Sequence, residues 1–400
     1  MFRKQRADRL LTGEKCKKVQ MEKIEREFQI FAKPVGALCN LRCRYCYYLD
    51  KKALYPSESS FVMNDDILEK YIIQHIEATT EETVFFSWHG GEPLLAGIDF
   101  FRKAVSLQKK HKPSGVKIVN GVQTNGTLID NKWAWFFVEN NFIVGISIDG
   151  PGDLHNRFRT APDGRSSLPQ VLRGYEILQR YRIKTEILCV VNSYNVKFPL
   201  VVYNFFKELG ARYITFLPLV ERRPGTKSGV SRASVPPLEF GRFLVAVFDE
   251  WLERDIGEIK IQIFEEAART AFNQDHTLCI FKENCGGVPV LERNGDFYSC
   301  DHFVNRNNLI GNINKGSVAS FLDSKRQKAF GRAKSLTLPR YCVECEVKAM
   351  CNGECPKNRF ITTPEGEPGL NYLCSGYKTF FNHCRPFVEA IAAVSGKPLT

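Results

Sequence analysis

Long apolar segments are absent from this sequence of 400 residues. A helix that crosses a bilayer needs about 20 consecutive apolar residues, so no membrane span is expected. Residues 1–20 are mostly basic and polar, and no apolar run there is longer than a pair such as Leu10 and Leu11, so no signal peptide is expected either. We therefore predict a cytoplasmic protein. Residues 1–24 are expected to form a poorly ordered leader, and Met21 is an alternative start.

A concentrated basic surface is also lacking. The net charge is +12, but the 56 Lys and Arg residues are scattered along the chain without an aromatic–basic signature. The sequence therefore predicts no nucleic-acid partner. With 44% hydrophobic and 25% charged residues, the chain has the composition of an ordinary globular protein. We expect a monomer.

Cysteine, in contrast, is abundant, with fourteen residues. In a chain that is not secreted, this number favours metal ligands over disulfides. Three of them, Cys39, Cys43 and Cys46, share one loop with C-x3-C-x2-C spacing. Three thiolates can hold three irons of a 4Fe–4S cluster and leave the fourth iron open for chemistry. A zinc loop remains an alternative, although zinc usually recruits paired cysteines at C-x2-C spacing.

Strand and helix patterns alternate from about residue 28 onward. Strands are predicted over residues 28–31, 84–88, 117–124, 143–148, 186–191 and 213–218, and helices over 64–77, 100–112, 129–140, 168–181, 196–209 and 238–254. Six strand–helix units indicate a parallel sheet with helices outside it. Six are too few for a complete eight-stranded barrel. The predicted fold is therefore α/β, with a partial (β/α)6 barrel.

Functional side chains gather where parallel strands end. Residues 90–92, Gly-Gly-Glu, follow the second strand. The glycines let a ligand approach the backbone closely, and the carboxylate suits an ammonium group. After the fourth strand, the hydroxyl of Ser147 suits a ribose and the guanidinium of Arg159 suits a carboxylate. Ordinary turn chemistry is the alternative for these junctions, and it is the preferred interpretation of His155.

Cysteine density rises again after residue 278. Eight further thiolates there suffice for two fully ligated 4Fe–4S clusters: Cys279, Cys285, Cys300, Cys342, Cys345, Cys351, Cys355 and Cys374. An Asn-Gly pair at Asn294 and Gly295 predicts a hairpin that delivers Cys300. Two zinc sites are the alternative, because Cys342 and Cys345 have C-x2-C spacing. Three cysteines are left over as ordinary thiols: Cys16, Cys189 and Cys384.

The three-cysteine loop, with an aromatic residue before its last cysteine, resembles the signature of the radical S-adenosylmethionine (radical SAM) family. Residues 90–93, Gly-Gly-Glu-Pro, match the motif that contacts the SAM amino group in that family. The C-terminal cysteine spacing resembles its SPASM extension. Four stretches narrow the match further: residues 88–94, 123–128, 147–151 and 298–304. From about residue 30 to residue 384, the chain resembles the anaerobic sulfatase-maturating enzymes.

This resemblance implies a radical SAM partial barrel over residues 25–237, a connecting helical segment over 238–278 and a SPASM domain over 279–400. It implies SAM and three 4Fe–4S clusters as cofactors. The implied SAM contacts are Tyr45, Gly90, Gly91, Glu92, Ser147, Arg159, Leu219 and Val220. The implied cluster ligands are Cys39, Cys43 and Cys46 for the SAM cluster, Cys279, Cys285, Cys300 and Cys355 for an inner cluster, and Cys342, Cys345, Cys351 and Cys374 for an outer one.

The implied activity is oxidation of a Cys or Ser in a sulfatase peptide, within C/S-x-P-x-R, to Cα-formylglycine. A 5′-deoxyadenosyl radical removes hydrogen from the substrate Cβ, and that carbon must then lose one proton and one electron. The resemblance makes Asp301 the general base, with a turn-capping Asp as the alternative. The two C-terminal clusters relay the electron. The implied partners are an unfolded or nascent sulfatase polypeptide and a reduced flavodoxin- or ferredoxin-type donor.

Two other functions stay open. One is a SPASM maturase that forms thioether or carbon–carbon crosslinks in a ribosomal peptide. Asp301 after Cys300 disfavours it, as does the N-terminal stretch of only about 28 residues, which is too short for a peptide-binding domain. The other is a non-catalytic iron–sulfur or zinc regulator, which the intact Gly-Gly-Glu motif disfavours. The sequence leaves the choice between Cys and Ser substrates open.

Overall fold

The computed structural model describes residues 23–24, 26–54, 61–226 and 229–394. Most of the predicted leader, with Cys16 and Met21, lies outside the described residues. The described helices are α1 (Asp65–Ala78), α2 (Ile98–His111), α3 (Asn131–Glu139), α4 (Asp153–Asn156), α5 (Leu168–Arg180), α6 (Pro199–Glu208), α7 (Pro237–Arg254), α8 (Gln262–Ala271), α9 (Val318–Leu322), α10 (Lys325–Leu336), α11 (Arg340–Val343), α12 (Lys348–Cys351) and α13 (Cys374–Val394). The described strands are β1 (Phe31–Lys33), β2 (Thr83–Trp88), β3 (Lys117–Thr124), β4 (Phe142–Ser147), β5 (Thr185–Val191), β6 (Tyr213–Pro218), β7 (Lys260–Ile261), β8 (Val290–Glu292), β9 (Asp296–Tyr298), β10 (Leu309–Asn312), β11 (Arg359–Thr362) and β12 (Pro368–Asn371).

A ten-stranded sheet organises the described part of the chain, in the order β10-β9-β8-β1-β2-β3-β4-β5-β6-β7. The strands from β8 through β1 to β7 pair in parallel, whereas β9 and β10 are antiparallel additions at one edge. The six predicted strands are present as β1 to β6, and each is followed by a helix. The predicted α/β partial barrel is therefore confirmed.

The first strand is shorter than predicted, because β1 begins only at Phe31. The backbone N–H groups of Gln29 and Phe31 donate to the carbonyl oxygens of Gly287 and Pro289 at 2.8 and 2.9 Å. This stretch therefore already runs beside the segment that enters β8 before it reaches β2. A seventh parallel strand, β7, also extends the sheet from within residues 238–278, which were predicted to be helical.

Helices begin at the capping residues that the sequence supplies. Asn64, the predicted cap of α1, accepts a hydrogen bond from Ile67 N at 2.9 Å through its Oδ1. Asp130 caps α3 in the same way, through Trp133 N at 2.9 Å. Such side chains satisfy backbone donors that have no partner inside the helix. The helices therefore start close to their predicted positions.

An aromatic core lies between the sheet and the helices α1 and α2. Trp88 at the end of β2 is fully buried, and its ring meets Tyr71 and Phe101 edge-on at 5.9 and 5.7 Å. Its Nε1 donates to Asn120 Oδ1 of β3 at 2.9 Å, so the indole has its polar partner. This packing fixes the end of β2, from which the Gly-Gly-Glu-Pro turn departs.

The C-terminal hairpin belongs to the same sheet as the barrel. The strands β8 and β9 are antiparallel and turn at Gly295, whose φ of 88° favours glycine, which confirms the predicted hairpin. In addition, β8 pairs in parallel with β1, with Lys33 opposite Glu292. The sequence did not indicate this pairing. Because Cys300 and Asp301 follow β9 directly, the hairpin brings both to the carboxyl end of β1.

The helices α7 and α13 approach each other closely at two glycines. A Cβ added to Gly376 would lie 2.1 Å from Pro237 O, and one added to Gly241 would lie 2.5 Å from Gly376 O. Two helix backbones can come this close only where neither carries a side chain. Cys374, the first residue of α13, is thereby held against the barrel. None of the described helices is long and apolar enough to cross a membrane.

Candidate active site

The three N-terminal cysteines lie in the loop between β1 and α1, which the segment after β4 holds in place. The backbone N–H groups of Arg42 and Arg44 donate to the carbonyl oxygens of Thr160 and Phe158, both at 2.8 Å. These bonds run between the cysteines themselves. The backbone of the loop is therefore fixed to the barrel next to the residues that carry the thiols.

The three thiols lie close to one another. Burial first, and then the neighbouring thiols, raise the pKa of Cys39 to about 12 and that of Cys43 to about 11, with Cys46 acting on both. Ligands of one 4Fe–4S cluster must have this proximity. Among the described residues, no three Cys, His, Asp or Glu side chains converge as ligands of a single metal ion do.

The turn after β2 packs against the start of the cysteine loop. The N–H groups of Gly91 and Glu92 donate to Gly36 O and Leu38 O, both at 2.8 Å. A Cβ on Gly91 would lie 2.1 Å from Leu38 O, and one on Gly90 would lie 2.8 Å from Gly36 O. These glycines were predicted to let a ligand approach the backbone closely. In the structure, they let two segments of the protein's own backbone approach each other closely.

Glu92 is fully buried, and its carboxylate accepts three hydrogen bonds. Its Oε1 accepts from Leu94 N at 3.0 Å and from Thr124 Oγ1 at 2.8 Å, and its Oε2 accepts from Asn125 N at 2.7 Å. Burial raises the pKa of Glu92 to about 7 in spite of these donors. The carboxylate therefore ties the ends of β2 and β3 together, and Oε2 keeps acceptor capacity for a cationic group.

Asn125 connects this junction to the cysteines. Its Nδ2 donates to Asn40 Oδ1 at 2.9 Å and lies 3.8 Å from Cys39 Sγ. Its Oδ1 accepts from Thr127 N and Thr127 Oγ1 at 3.0 and 2.7 Å. Sequence reasoning gave Asn125 no role, although its place directly after β3 was a signal. The side chain holds the first cysteine at a fixed distance from Glu92.

Asp149, which follows β4, binds two of the predicted SAM contacts. Both Tyr45 Oη and Arg159 Nε donate to its Oδ2, the latter at 3.0 Å, and Val190 N donates to its Oδ1 at 3.0 Å. Asp149 is fully buried and Arg159 is 8% exposed, so their charges form a buried ion pair. Arg159, which was predicted to pair with a ligand carboxylate, here pairs with Asp149.

His155 holds this ion pair in place. It lies fully buried in α4, and its Nδ1 accepts from Asp149 N at 3.3 Å. The proton is therefore on Nε2, which donates to Ser167 Oγ at 3.0 Å, and Ser167 Oγ donates to Arg159 O at 2.7 Å. Burial lowers the pKa of His155 to about 4, which keeps the ring neutral. His155 therefore has a structural role at the turn after β4, since its ring links Asp149 N to Ser167 Oγ.

The other predicted SAM contacts stand at the same edge of the sheet. Ser147 ends β4, and its Oγ accepts from Gln123 Nε2 at 3.1 Å. Leu219 and Val220 follow β6, and Val220 O accepts from Lys357 Nζ at 3.2 Å. The carboxyl ends of parallel strands therefore bring these groups together. Lys357 also links the barrel to the C-terminal cysteine region.

Asp301 is held by two side chains from the N-terminal region. Lys33 Nζ lies 2.6 Å from Asp301 Oδ1, and Tyr47 Oη donates to Oδ2. Lys33 is 2% exposed and Asp301 is 8% exposed, so the ion pair is buried. Burial raises the pKa of Asp301, but Lys33, His302 and the Tyr47 hydroxyl outweigh burial and lower the pKa to about 2. The structure thus places an ionised carboxylate directly beside Cys300.

A second carboxylate acts on the same lysine. Lys33 Nζ lies 4.4 Å from the centre of the Tyr48 ring, and Tyr48 Oη donates to Glu292 Oε1. Glu292 is fully buried; burial raises its pKa, and Lys33 lowers it. Sequence reasoning missed Lys33. The available signal was a lysine inside a buried strand, where a charged residue is rare unless it is paired.

The eight C-terminal thiols fall into two groups, of which the first is next to Asp301. Burial raises the pKa of Cys300, and the thiols of Cys279 and Cys285 raise it further. Burial likewise raises the pKa of Cys355, and Cys300 adds to that shift. These four thiols therefore share one region of the fold, although up to 76 residues separate them.

The second group contains the other four thiols. Burial raises the pKa of Cys374 to about 12, and the thiols of Cys342 and Cys345 contribute to that shift. Burial also raises the pKa of Cys351, with Cys374 and Cys342 contributing. Cys355 stands only four residues after Cys351 but belongs to the first group. The two groups are therefore interleaved in sequence and distinct in space.

Two cations stand beside these thiols, and one of them lies near both groups. The fully buried Lys334 donates from Nζ to Cys279 O at 3.1 Å, and Arg359 donates from Nη1 to Lys334 O at 2.5 Å. Burial raises the pKa of Cys285 and of Cys342, and the Arg359 guanidinium acts against both shifts. Arg359 therefore lies near a thiol of each group. Cations near cluster ligands stabilise the negative charge of an iron–sulfur cluster.

Residues 34–197 match the radical SAM superfamily, and residues 285–346 match an iron–sulfur cluster-binding domain. The first match covers the three-cysteine loop and the strand ends from β2 to β5. The second begins at Cys285, within the first C-terminal group of thiols. The fold and the site together define a radical SAM enzyme with a C-terminal iron–sulfur domain.

The comparison with known proteins narrows this class. A serine-type anaerobic sulfatase-maturating enzyme from Bacteroides thetaiotaomicron is 43% identical over 373 residues, which cover 90% of each chain. A cysteine-type anaerobic sulfatase-maturating enzyme from Clostridium perfringens is 31% identical over 369 residues, or 91% of this chain and 98% of its own. The solved structure of native anSMEcpe with bound AdoMet matches with a TM-score of 0.83 at 31% identity, covering 91% of this chain and 99% of that chain. The chain therefore belongs to the anaerobic sulfatase-maturating enzymes.

The buried carboxylate of Glu92 yields a first prediction. In Glu92→Gln, one amide NH2 group must face a buried N–H or hydroxyl donor, which we expect to cost about 1–3 kcal/mol of unfolding free energy at pH 8. The urea midpoint measures this loss at an unchanged slope. The difference from the native protein should widen as the pH falls from about 7 toward 4.5, because the folded native protein takes up a proton at Glu92 before the unfolded chain does and gains stability that the Gln variant cannot gain.

The exposed Glu82→Gln variant is the control, and we expect it to stay within about 0.5 kcal/mol of the native protein. Equal urea midpoints for Glu92→Gln and Glu82→Gln at pH 8 would show that the three hydrogen bonds to Glu92 do not support the fold.

Proposed function

We propose that this enzyme oxidises a Cys or Ser side chain of a sulfatase polypeptide, within C/S-x-P-x-R, to Cα-formylglycine. The observation that carries the proposal is the buried carboxylate of Asp301, fixed beside Cys300 by Lys33 and Tyr47. The family of the chain supports it. So do the structures of native anSMEcpe with AdoMet and a Cp18Cys or Kp18Cys peptide, which match with TM-scores of 0.82 and 0.81.

The proposed cofactors are SAM and three 4Fe–4S clusters. The thiols of Cys39, Cys43 and Cys46 fit three ligands of a cluster with one open iron. The two further groups of four thiols fit two fully ligated clusters, an inner one beside Asp301 and an outer one at Cys374. When bound, SAM and these clusters supply the radical and the one-electron transfers that the oxidation needs.

The proposed SAM contacts surround the three-cysteine loop. Glu92 Oε2 has acceptor capacity for the SAM ammonium group, and the Gly90 and Gly91 turn holds that carboxylate against the loop. Tyr45 is kept in place by its bond to Asp149, as is Arg159. Three further contacts stand at the ends of β4 and β6: Ser147, Leu219 and Val220.

Asp301 is the proposed acceptor of the substrate proton. With its pKa held near 2, it is ionised at neutral pH and ready to accept. Such a carboxylate is a weak base toward an ordinary thiol or hydroxyl. The proton therefore transfers only as the substrate carbon gives up its electron, which makes the S–H or O–H group strongly acidic. Lys33 balances the buried charge before the transfer and contacts the neutral acid afterwards.

The remaining partners are proposals on the same basis. We propose an unfolded or nascent sulfatase polypeptide as substrate, because the side chain that is oxidised has to reach a buried carboxylate. A reduced flavodoxin- or ferredoxin-type protein is the proposed electron donor for the SAM cluster. We further propose that the enzyme acts as a monomer in the cytoplasm.

The number of clusters is directly testable. Three clusters of four irons predict about twelve irons per chain in anaerobically reconstituted protein. Joint replacement of Cys39, Cys43 and Cys46 by Ala should leave about eight irons and abolish SAM cleavage, because the other eight thiols are unchanged. Iron analysis and 5′-deoxyadenosine detection measure these outcomes. Cys189→Ala, in a fully buried core cysteine outside the three groups, should retain all the iron. An iron content near four in the native protein, or stoichiometric zinc, would contradict the proposal.

If Asp301 is the base, its replacement should impair formylglycine formation but not 5′-deoxyadenosine formation. Asp301→Asn keeps the shape of the side chain but cannot accept the proton. Formylglycine formation should therefore fall by about 100-fold or more, whereas peptide-dependent 5′-deoxyadenosine should still form. Mass spectrometry of the peptide and chromatography of the nucleoside follow the two products. If Asp301→Asn produces aldehyde at nearly the native rate, another group is the base.

The ion pair predicts a shift in the pH profile. Lys33→Met removes the positive charge that keeps the Asp301 pKa low, and burial then raises that pKa toward neutral. In the native enzyme, Asp301 is protonated only below the pH range of the assay. In Lys33→Met, the rate of formylglycine formation should therefore decrease as the pH falls from about 8 to 6. Lys51→Met, a partly exposed lysine in the same region, serves as the control. A uniform loss of rate without a new acid limb would mean that Lys33 acts only structurally.

A further inference from the structure

A cleft of about 700 Å³ opens beside Cys285, one thiol of the inner group. It lies between the first described residues and the helix α10. Its lining contains one thiol of the inner group, four basic side chains and one acidic side chain: Cys285, Lys23, Arg26, Lys328, Arg332 and Asp323. No step described above uses this cleft.

The cleft is positively charged because of the sequence of α10. This helix, Lys-Arg-Gln-Lys-Ala-Phe-Gly-Arg-Ala-Lys-Ser-Leu, has five basic residues and no acidic one. Lys328 and Arg332 are exposed on it, and the single acidic side chain of the cleft, Asp323, pairs with Lys328 at 3.2 Å. Opposite them, the buried Nε of Arg26 has no hydrogen-bond partner among the described residues. The cleft therefore has an excess of positive charge and an unused donor.

Cys285 reaches this cleft because α10 carries a glycine at the contact. The Cys285 N–H donates to Gly331 O at 3.0 Å, and a Cβ on Gly331 would lie 2.6 Å from Cys285 O. Any larger residue would push the segment away from the helix. A ligand of the proposed inner cluster is thus held at the floor of the basic cleft. Electron transfer to a partner in the cleft would cross little more than this thiol.

The surface beside the outer group has a different charge pattern. There Arg340 pairs with Glu344 at 2.6 Å and Lys378 pairs with Glu346 at 3.2 Å. Each of these basic residues is balanced by an acidic neighbour, so the surface has little net attraction for a charged partner. The basic cleft therefore favours an acidic protein more strongly than the surface of the outer group does.

We propose that the cleft beside Cys285 is the docking surface for an acidic one-electron carrier of the flavodoxin or ferredoxin class. This inference rests on the proposed function. The substrate carbon gives up one electron after hydrogen abstraction, and Asp301 takes the accompanying proton. The electron would leave the protein by way of the cluster that the inner thiol group would hold, and the oxidised carrier accepts it and becomes reduced by one electron. The four cations position the carrier and accelerate its association.

The test uses the reconstituted full-length protein, reduced with dithionite and desalted, without peptide or SAM. Stopped-flow mixing with an oxidised acidic flavodoxin measures the appearance of the flavin semiquinone. In Lys328→Glu/Arg332→Glu we expect the association rate at low salt to fall by about 10-fold or more, and its salt dependence to flatten. The control is Lys109→Glu/Lys132→Glu, which changes two exposed lysines on α2 and α3 and should keep the native rate.

Two further measurements complete the test. Lys328→Gln/Arg332→Gln should give an intermediate rate, and all variants should retain native iron content. Peptide oxidation driven by dithionite alone should be the same in every variant, because the substrate's electron can then return to the cluster that supplied one to SAM and no carrier has to dock. Equal association rates in the two charge-reversed proteins would overturn the docking proposal. Absence of peptide oxidation in the native protein would instead overturn the proposed function, since the flavodoxin measurement contains no peptide.

Discussion

The parallel pairing of β8 with β1 is the constraint on which the active-site geometry depends. The strand β1 has only three residues and lies between β8 and β2, so the three-cysteine loop and the C-terminal hairpin are joined through it. The register places Lys33 opposite Glu292. A shift by one residue would turn these side chains to opposite faces of the sheet. Lys33 would then lose Asp301, and Cys300 would lose its place beside the N-terminal loop.

The charges around Lys33 explain why the pairing of β1 with β8 includes a buried ion pair, although burying charges is unfavourable. Burying an ion pair costs several kcal/mol per ion before the mutual attraction and the added hydrogen bonds offset it. Without the lysine, burial would keep Asp301 protonated and therefore useless as a proton acceptor. Tyr48 and Glu292 close one side of the network, whereas Tyr47 is 50% exposed. In the proposed function, the peptide would therefore reach the carboxylate from the side of Tyr47.

The alternation of strands and helices in the barrel, the cap of α1 and the hairpin at Gly295 could be predicted from the sequence, because each depends on local patterns. The contacts that complete the site could not. Lys33 meets Asp301 across more than 260 residues of chain, and no periodicity reports such a pairing. The sequence also did not reveal that Asp149 is already bound by Tyr45 and Arg159, or that the neutral ring of His155 supports that pair. Polar residues at strand ends mark a site, but their partners follow only from tertiary packing.

In the proposed function, the proton and the electron of the substrate take separate paths. Asp301 faces Lys33 and Tyr47 on the barrel side, whereas Cys300, one residue earlier, joins the thiols of Cys279 and Cys285. A proton moves only over a hydrogen bond, so its acceptor has to touch the substrate. An electron can cross a larger gap, so its path can continue away from the substrate toward α10. Adjacent residues at the end of one hairpin would therefore serve both proposed transfers, and the cations Lys334 and Arg359 would favour the added negative charge on the electron side alone.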